Sequence, residues 1–141
     1  MKLNIGCGTS IMEGYVNLDR YDYGQEVVRD VLRGLPFDDN KFDEVHTSHF
    51  MEHIPAGEDL YFMLSEIWRV CKNEALFLIR VPHSDTHEAF FPDHLSWWNE
   101  IMINATVADP YQRSHGSCYN YEVVEMERYG IALHATLKAI K

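Results

Sequence analysis

The feature that most constrains this chain is a series of short apolar segments that each end in a glycine turn or an acid. Residues 2–5 run into the glycine turn of residues 6–8, residues 14–19 end at Asp19, and residues 26–30 end at Asp30. Short apolar segments bounded by turn residues are typical of strands. Because the pattern repeats along the chain, it predicts parallel strands whose carboxyl ends lie at one edge of a sheet.

The remaining segments complete an α/β pattern. Apolar side chains at intervals of three and four predict an amphipathic helix over residues 57–71, and a second helix is expected from residue 93 to about residue 103. Four further strands, the last two forming an antiparallel hairpin, are predicted at residues 42–48, 75–81, 121–128 and 132–140. The first two strands are separated by too few residues for a helical crossover, so the first helix should be missing or reduced to one turn.

Length and charge narrow the class of protein. A chain of 141 residues is expected to form one domain spanning residues 1–141, with a core that needs no disulfide. Its 22 acidic residues against 12 Lys and Arg give a net charge of −10, which argues against binding to nucleic acid. No apolar run approaches the roughly 20 residues of a membrane-spanning helix, so no membrane association is expected. Three isolated cysteines and an N-terminus unlike a signal peptide predict a cytoplasmic location.

Residues at the predicted carboxyl edge of the sheet favour a nucleoside ligand. Gly6 and Gly8 would let a ligand approach the backbone, and an acid that ends the second strand, Asp19, could accept hydrogen bonds from two ribose hydroxyls. Taken singly, each glycine could form only a tight turn and each acid only a cap. The glycine spacing lacks the third glycine of dinucleotide sites, and no phosphate-binding loop of the Lys-Ser or Lys-Thr type follows.

Several motifs occur in an order that resembles the class I S-adenosylmethionine-dependent methyltransferases, in their small methyltransferase-domain form. The resemblance covers residues 1 to about 82. Its motifs are LNIGCG at residues 3–8, GYVNLD at 14–19, LPFDDNKFDEV at 35–45, MEHI at 51–54 and EIWRVCK at 66–72. It implies a Rossmann-like, mostly parallel sheet with a C-terminal antiparallel hairpin and a reduced helical complement, and S-adenosylmethionine as cofactor.

Site residues follow from the resemblance position by position. Gly6 and Gly8 would pass beneath the cofactor, Asp19 would hold the ribose, and Asp30 with the backbone of Val31 would face the adenine. The expected cofactor-binding set is Asn4, Gly6, Cys7, Gly8, Asp19, Asp30, Val31 and Ser48. Asn4 stands where the family usually has an acid.

The methyl group would lie beside the residues that follow the fourth strand. His49 borders that position and is the first candidate for a catalytic base, with His94 as the second. Four aromatic residues near His94 could line an apolar substrate wall or could simply cover the core. They are Phe90, Phe91, Trp97 and Trp98.

Two histidine-containing patterns allow a metal site as an alternative. Residues 49–53 match the HxxEH pattern of inverted zinc peptidases, although Pro55 disfavours the helix that this pattern needs. Three histidines, His83, His87 and His94, lie among acids in the segment after residue 82. The plainer interpretation is that these side chains anchor loops, and we predict no metal.

The sequence therefore predicts methyl transfer from S-adenosylmethionine to a small molecule or a protein side chain. The alternative is a noncatalytic protein of the same fold that serves as a binding or partner subunit. A homodimer is possible in either case, because missing helices would leave part of the sheet uncovered.

Overall fold

The computed structural model describes residues 1–107 and 118–141. The two α-helices in this part of the chain are α1 (Glu58–Val70) and α2 (Glu100–Val107). Seven strands form one sheet: β1 (Lys2–Ile5), β2 (Tyr15–Asp19), β3 (Val27–Val28), β4 (Phe42–Ser48), β5 (Cys71–Pro82), β6 (Tyr121–Tyr129) and β7 (Ala132–Ala139).

The strand order is β3-β2-β1-β4-β5-β7-β6. The first five strands are parallel, and β7 pairs antiparallel with both β5 and β6. This arrangement confirms the predicted Rossmann-like sheet with its antiparallel hairpin. The order reverses between β1 and β4, and open α/β sheets bind ligands outside the carboxyl ends of the strands at such a point.

One face of the sheet forms the core. Register pairs Leu3 with Val45, Val45 with Phe77, and Phe77 with Leu137, so these side chains lie in one row across the sheet. All four are at most 1% exposed, and the apolar side of α1 belongs to the same core cluster. Because α1 places Leu60, Met63, Leu64 and Ile67 on one side, the predicted amphipathic helix is confirmed.

The opposite face is more open. One row of side chains on this face crosses β2, β1, β4, β5 and β7. It contains Asn17, Asn4, His46, Leu78 and Thr136, of which the last three are only half-buried. Residues 6–14 connect β1 to β2 without a helix, as expected from their number. The reduced helical complement therefore leaves part of this face in contact with solvent.

The predicted second helix is wrong in its first half. Residues 93–99 form a loop, and α2 begins at Glu100. The backbone N–H groups of Leu95 and Ser96 both donate to the carbonyl of Glu52, at 2.7 and 3.2 Å, and are therefore unavailable to a helix. Asn99 then caps α2, because its Oδ1 accepts a hydrogen bond from the Met102 N–H at 2.8 Å.

Strand boundaries also differ from the prediction. Strand β5 begins at Cys71, directly after α1, rather than at residue 75. Strand β3 has only two residues, because the chain turns at Asp30 into a 3-10 turn over Val31–Arg33. Neither helix of the described residues combines the length and apolar composition needed to cross a membrane.

Candidate functional site

The loop between β1 and β2 forms the centre of the carboxyl edge. The N–H groups of Gly6 and Cys7 both donate to the carbonyl of Leu18, at 2.8 and 3.2 Å. A Cβ on Gly6 would overlap the ring of Phe50, whereas a Cβ on Gly8 would meet no atom within 4 Å. Gly6 therefore makes room for a protein side chain, and the open space over the backbone lies at Gly8. The thiol of Cys7 is buried, and this burial raises its pKa.

Asp19 joins this loop to the end of β2. Its Oδ2 accepts a hydrogen bond from the Gly8 N–H at 2.9 Å, and its Oδ1 accepts one from the Tyr21 N–H at 3.0 Å. The carboxylate is half-buried and keeps further lone pairs for a ligand. The structure therefore brings the glycine turn and the predicted ribose acid into direct contact.

Two buried asparagines hold the β1–β2 loop in place of the missing helix. The Nδ2 of Asn4 donates to the Ser10 carbonyl at 3.1 Å and to Oδ1 of Asn17 at 2.9 Å. Asn17 also accepts a hydrogen bond from the Met12 N–H, and Oδ1 of Asn4 lies 3.2 Å from Nδ1 of His46. All polar atoms of Asn4 are thus engaged by protein groups, so its direct contact with a cofactor stays a prediction.

The sequence analysis did not identify Asn17 as a functional residue. The pairing of the two strands could have identified it, because Asn4 and Asn17 occupy matching positions in adjacent parallel strands. Two amides at matching positions face each other, and buried amides need hydrogen-bond partners.

Asp30 and Val31 lie one strand further along the same edge. Oδ1 of Asp30 accepts a hydrogen bond from the Leu32 N–H at 3.1 Å and caps the 3-10 turn. The Val31 side chain is 6% exposed, and the Arg29 N–H donates to the Asp19 carbonyl at 2.8 Å. This edge is continuous with Asp19, as a nucleoside site requires, although the adenine contact stays a prediction.

Ser48 ends β4 on the other side of the glycine loop, and His49 follows it directly. His49 has a φ of 51°, a left-handed conformation that is uncommon outside glycine, and its N–H donates to the Arg80 carbonyl at 2.9 Å. The imidazole is 44% exposed. Partial burial, followed by the charge of Arg80, lowers its pKa, which favours the neutral ring that can accept a proton.

Next to His49, the chain brings together Glu52, His53 and His94. One ligand atom from each lies within 4.8 Å of the others. Glu52 is 2% exposed, its carboxylate oxygens have no hydrogen-bond partner among residues 1–107 and 118–141, and the nearest basic atom in these ranges is Nδ1 of His49 at 3.4 Å. Burial raises the pKa of the Glu52 carboxyl to about 7.

The sequence analysis treated Glu52 and His53 as loop anchors and assigned His94 to a separate histidine group. Residues 51–53 form a 3-10 turn, so the helix of an inverted zinc peptidase is absent here. Of the other histidines, His83 contacts Asp85 and Glu100 at 2.8 and 3.1 Å, away from this cluster. The imidazole of His53 does anchor a loop, because its Nδ1 bonds to the Asp93 carbonyl at 3.0 Å.

Three of the four aromatic residues of the expected substrate wall are exposed. Phe90 is 64% exposed, Phe91 52% and Trp97 52%, whereas Trp98 is 1% exposed and belongs to the core. Phe91 contacts the ring of His94, with centroids 5.6 Å apart. An apolar surface therefore adjoins His94. Trp98 instead packs in the core, which was the alternative that the sequence left open.

Comparison with known proteins agrees with this geometry. In a search of known sequences, the chain is 30% identical over 110 residues to sterol 24-C-methyltransferase erg6 of Schizosaccharomyces pombe, a match that covers 77% of this chain. The match covers 26% of that enzyme, so the chain spans about a quarter of the relative's length.

Solved structures show the same fold. The 1,6-didemethyltoxoflavin-N1-methyltransferase of Burkholderia thailandensis, solved with S-adenosylhomocysteine, superposes with a TM-score of 0.70 at 15% identity, covering 99% of this chain and 71% of that one. A second similar structure is a chain from the complex of the Haloferax volcanii Trm112 methyltransferase activator with a methyltransferase. It superposes with a TM-score of 0.69 at 15% identity, covering 99% of this chain and 82% of that one.

A family model decides the assignment. The model described as "Methyltransferase domain" matches residues 8–79, slightly more than half of the chain. The matched range contains Asp19, Asp30 and the residues after β4, and the sheet around it has the fold of the two methyltransferase structures named above. The chain therefore belongs to the methyltransferase domain family, in agreement with the class I resemblance of its motifs.

Proposed function

We propose that this protein transfers a methyl group from S-adenosylmethionine to a small-molecule or protein acceptor. The observation that carries the proposal is the contact between the Asp19 carboxylate and the Gly8 N–H, at the carboxyl end of β1 and next to the β1–β4 boundary where strand order reverses. The open space over Gly8 and the remaining lone pairs of Asp19 suit the ribose of an adenosyl group. The bound S-adenosylhomocysteine of the Burkholderia neighbour supports the same cofactor class.

The cofactor would supply an electrophilic methyl group on a sulfonium. Displacement at that carbon requires an acceptor atom held in line, so the main task of the protein is positioning. His49, neutral and partly exposed beside the end of β4, is the proposed base for an acceptor that must lose a proton. His94 is the second candidate, because it packs against His53 in the same cluster.

The exposed apolar wall favours an acceptor with an apolar body. Phe90, Phe91 and Trp97 adjoin the loop that contacts Glu52 and His53, next to the proposed base. The sterol substrate named for the fission yeast relative is consistent with this choice. The proposal includes three further expectations. Residues 1–141 act as one domain, the protein works in the cytoplasm, and two copies can form a homodimer.

Binding of S-adenosylhomocysteine, measured by calorimetry, tests the proposal. Asp19→Ala should weaken binding by at least about tenfold, because a hydrogen bond between a carboxylate and the ribose is worth about 1.5–3 kcal/mol. Asp38→Ala removes an exposed carboxylate from a turn outside the site and should leave affinity unchanged. Far-ultraviolet circular dichroism should show both variants folded.

The same titration separates the two candidate functions. Binding that depends on Asp19, followed by radiolabelled methyl transfer to an apolar acceptor panel, supports the enzyme, and His49→Asn should then lower kcat more than it changes KM. A folded protein that binds neither S-adenosylmethionine nor S-adenosylhomocysteine would contradict the proposal and favour the noncatalytic partner subunit.

A further inference from the structure

We propose that Glu52, His53 and His94 bind a divalent transition-metal ion such as Zn²⁺ beside the carboxyl end of β4. One carboxylate and two imidazoles converge there, with ligand atoms within 4.8 Å of one another. Two nitrogen ligands and one oxygen ligand are typical of catalytic zinc and related sites, whereas Mg²⁺ and Ca²⁺ prefer oxygen.

The burial of Glu52 is the observation that points to a ligand. The residue is 2% exposed and both carboxylate oxygens lack a hydrogen-bond partner among the described residues. Leaving a buried polar group unsatisfied costs about 1–3 kcal/mol, and more when the group is charged. Nδ1 of His94 is also buried without a partner in the described part of the chain, and Glu52 and His94 both contribute ligand atoms to this cluster. A cation between them would satisfy both.

His53 has a backbone hydrogen bond of the kind that metal-binding histidines usually make. Its Nδ1 lies 3.0 Å from the Asp93 carbonyl, which can only accept, so this nitrogen carries the proton. The other nitrogen, Nε2, therefore keeps its lone pair for a metal. A second hydrogen bond of this kind fixes the tautomer and the ring direction in most histidine–metal sites.

The backbone holds the two ligand-bearing segments together. The Leu95 and Ser96 N–H groups donate to the Glu52 carbonyl, and the Ser96 hydroxyl donates to the Met51 carbonyl at 3.1 Å. The rings of His53 and His94 pack edge to face, with centroids 4.8 Å apart. Three ligands at about 2.1 Å from one ion lie about 3.4 Å apart in tetrahedral geometry, so small side-chain rotations would close the site.

Zinc titration of chelator-dialysed, full-length protein tests this site. We expect one Zn²⁺ per chain, and binding at least about 100-fold weaker in Glu52→Gln and in His94→Ala. His87→Ala, which removes an exposed histidine outside the cluster, should bind as the wild type does. The Co²⁺-loaded protein should show visible d–d absorption that is lost in the same two variants, and excess Mg²⁺ should not displace Zn²⁺.

Three results would overturn the inference. These are no zinc binding, binding that both variants retain, and a thiolate charge-transfer band that places the Co²⁺ on the exposed Cys118. If Glu52→Gln fails to fold, His94→Ala decides the matter. The titration contains no methyl donor, so its failure would leave the proposed methyl transfer intact, and failure of cofactor binding would leave the metal site intact.

Discussion

At the scale of single residues, the two glycines of the turn that follows β1, Gly6 and Gly8, have different tasks. Both have positive φ, 68° at Gly6 and 50° at Gly8, which costs an L-residue about 1–2 kcal/mol. Only Gly6 also faces a side chain, the ring of Phe50. The sequence presents them as equivalent members of one motif, and the structure separates a packing role from an open approach to the backbone.

Alanine substitutions should reveal this difference. Gly6→Ala should lower the free energy of unfolding by about 2–5 kcal/mol, because backbone strain adds to the overlap with Phe50. Gly8→Ala should lower it by about 1–2 kcal/mol but should also weaken S-adenosylhomocysteine binding. Urea denaturation and calorimetry measure the two effects.

The matched control for Gly8 is Gly130→Ala in the distant β6–β7 turn. Gly130 has a φ of 59° and equally open surroundings, so the same backbone strain is introduced far from the site. Its stability loss should match that of Gly8→Ala while cofactor affinity stays unchanged. Equal losses of stability in Gly6→Ala and Gly8→Ala would show that Phe50 imposes no packing constraint.

At the scale of secondary structure, one ion pair on α1 fixes the connection between β3 and β4. Arg69 donates from Nη2 to the Leu35 carbonyl at 3.1 Å and from Nη1 to the Phe37 carbonyl at 2.8 Å. Its partner Glu66 accepts a hydrogen bond from the Leu35 N–H at 2.7 Å. The hydrogen bond to Arg69 lowers the pKa of the Glu66 carboxyl.

Arg69→Lys should therefore destabilise the protein although it conserves charge. A lysine cannot reach both carbonyls and the carboxylate in the geometry of a guanidinium, and two lost hydrogen bonds predict a decrease of about 1–3 kcal/mol. Arg33→Lys, an exposed site in the nearby 3-10 turn, should change stability by less than about 0.5 kcal/mol. Equal midpoints for the two variants in urea would argue against this role of Arg69.

The spacing of apolar residues along the sequence correctly predicted the elements whose apolar pattern is local. Alternating or continuous apolar segments gave β1, β4 and the hairpin, and the interval of three and four gave α1. Residues 93–99 show the limit, because apolar spacing there suggests a helix while Leu95 and Ser96 bond to the distant Glu52 carbonyl. A contact made across more than forty residues leaves no local pattern.

The same limit applies to the candidate site, of which the sequence predicted one part and missed another. Asp19 and the glycine turn follow from strand ends, which a sequence pattern marks directly. The cluster of Glu52, His53 and His94 depends on the same non-helical loop, so the sequence analysis divided it between two separate histidine patterns.

At the scale of the whole molecule, the sheet is covered well on one face and sparsely on the other. The buried rows pack against α1, whereas His46, Leu78 and Thr136 on the opposite face are half-buried. The loop of residues 6–14 replaces a helix there and is held by Asn4 and Asn17. The homodimer suggested by the missing helices stays a prediction, which sedimentation velocity would check.

The central claim is that an adenosyl ligand binds at the carboxyl edge where β1, β2 and β4 meet. Amide chemical shifts of isotope-labelled protein, recorded during titration with S-adenosylhomocysteine, test this claim residue by residue. We predict changes concentrated at Gly8, Asp19, Val31 and His49, with none at Thr136 on the open face. No change at saturating ligand, or changes centred on the open face, would contradict the account.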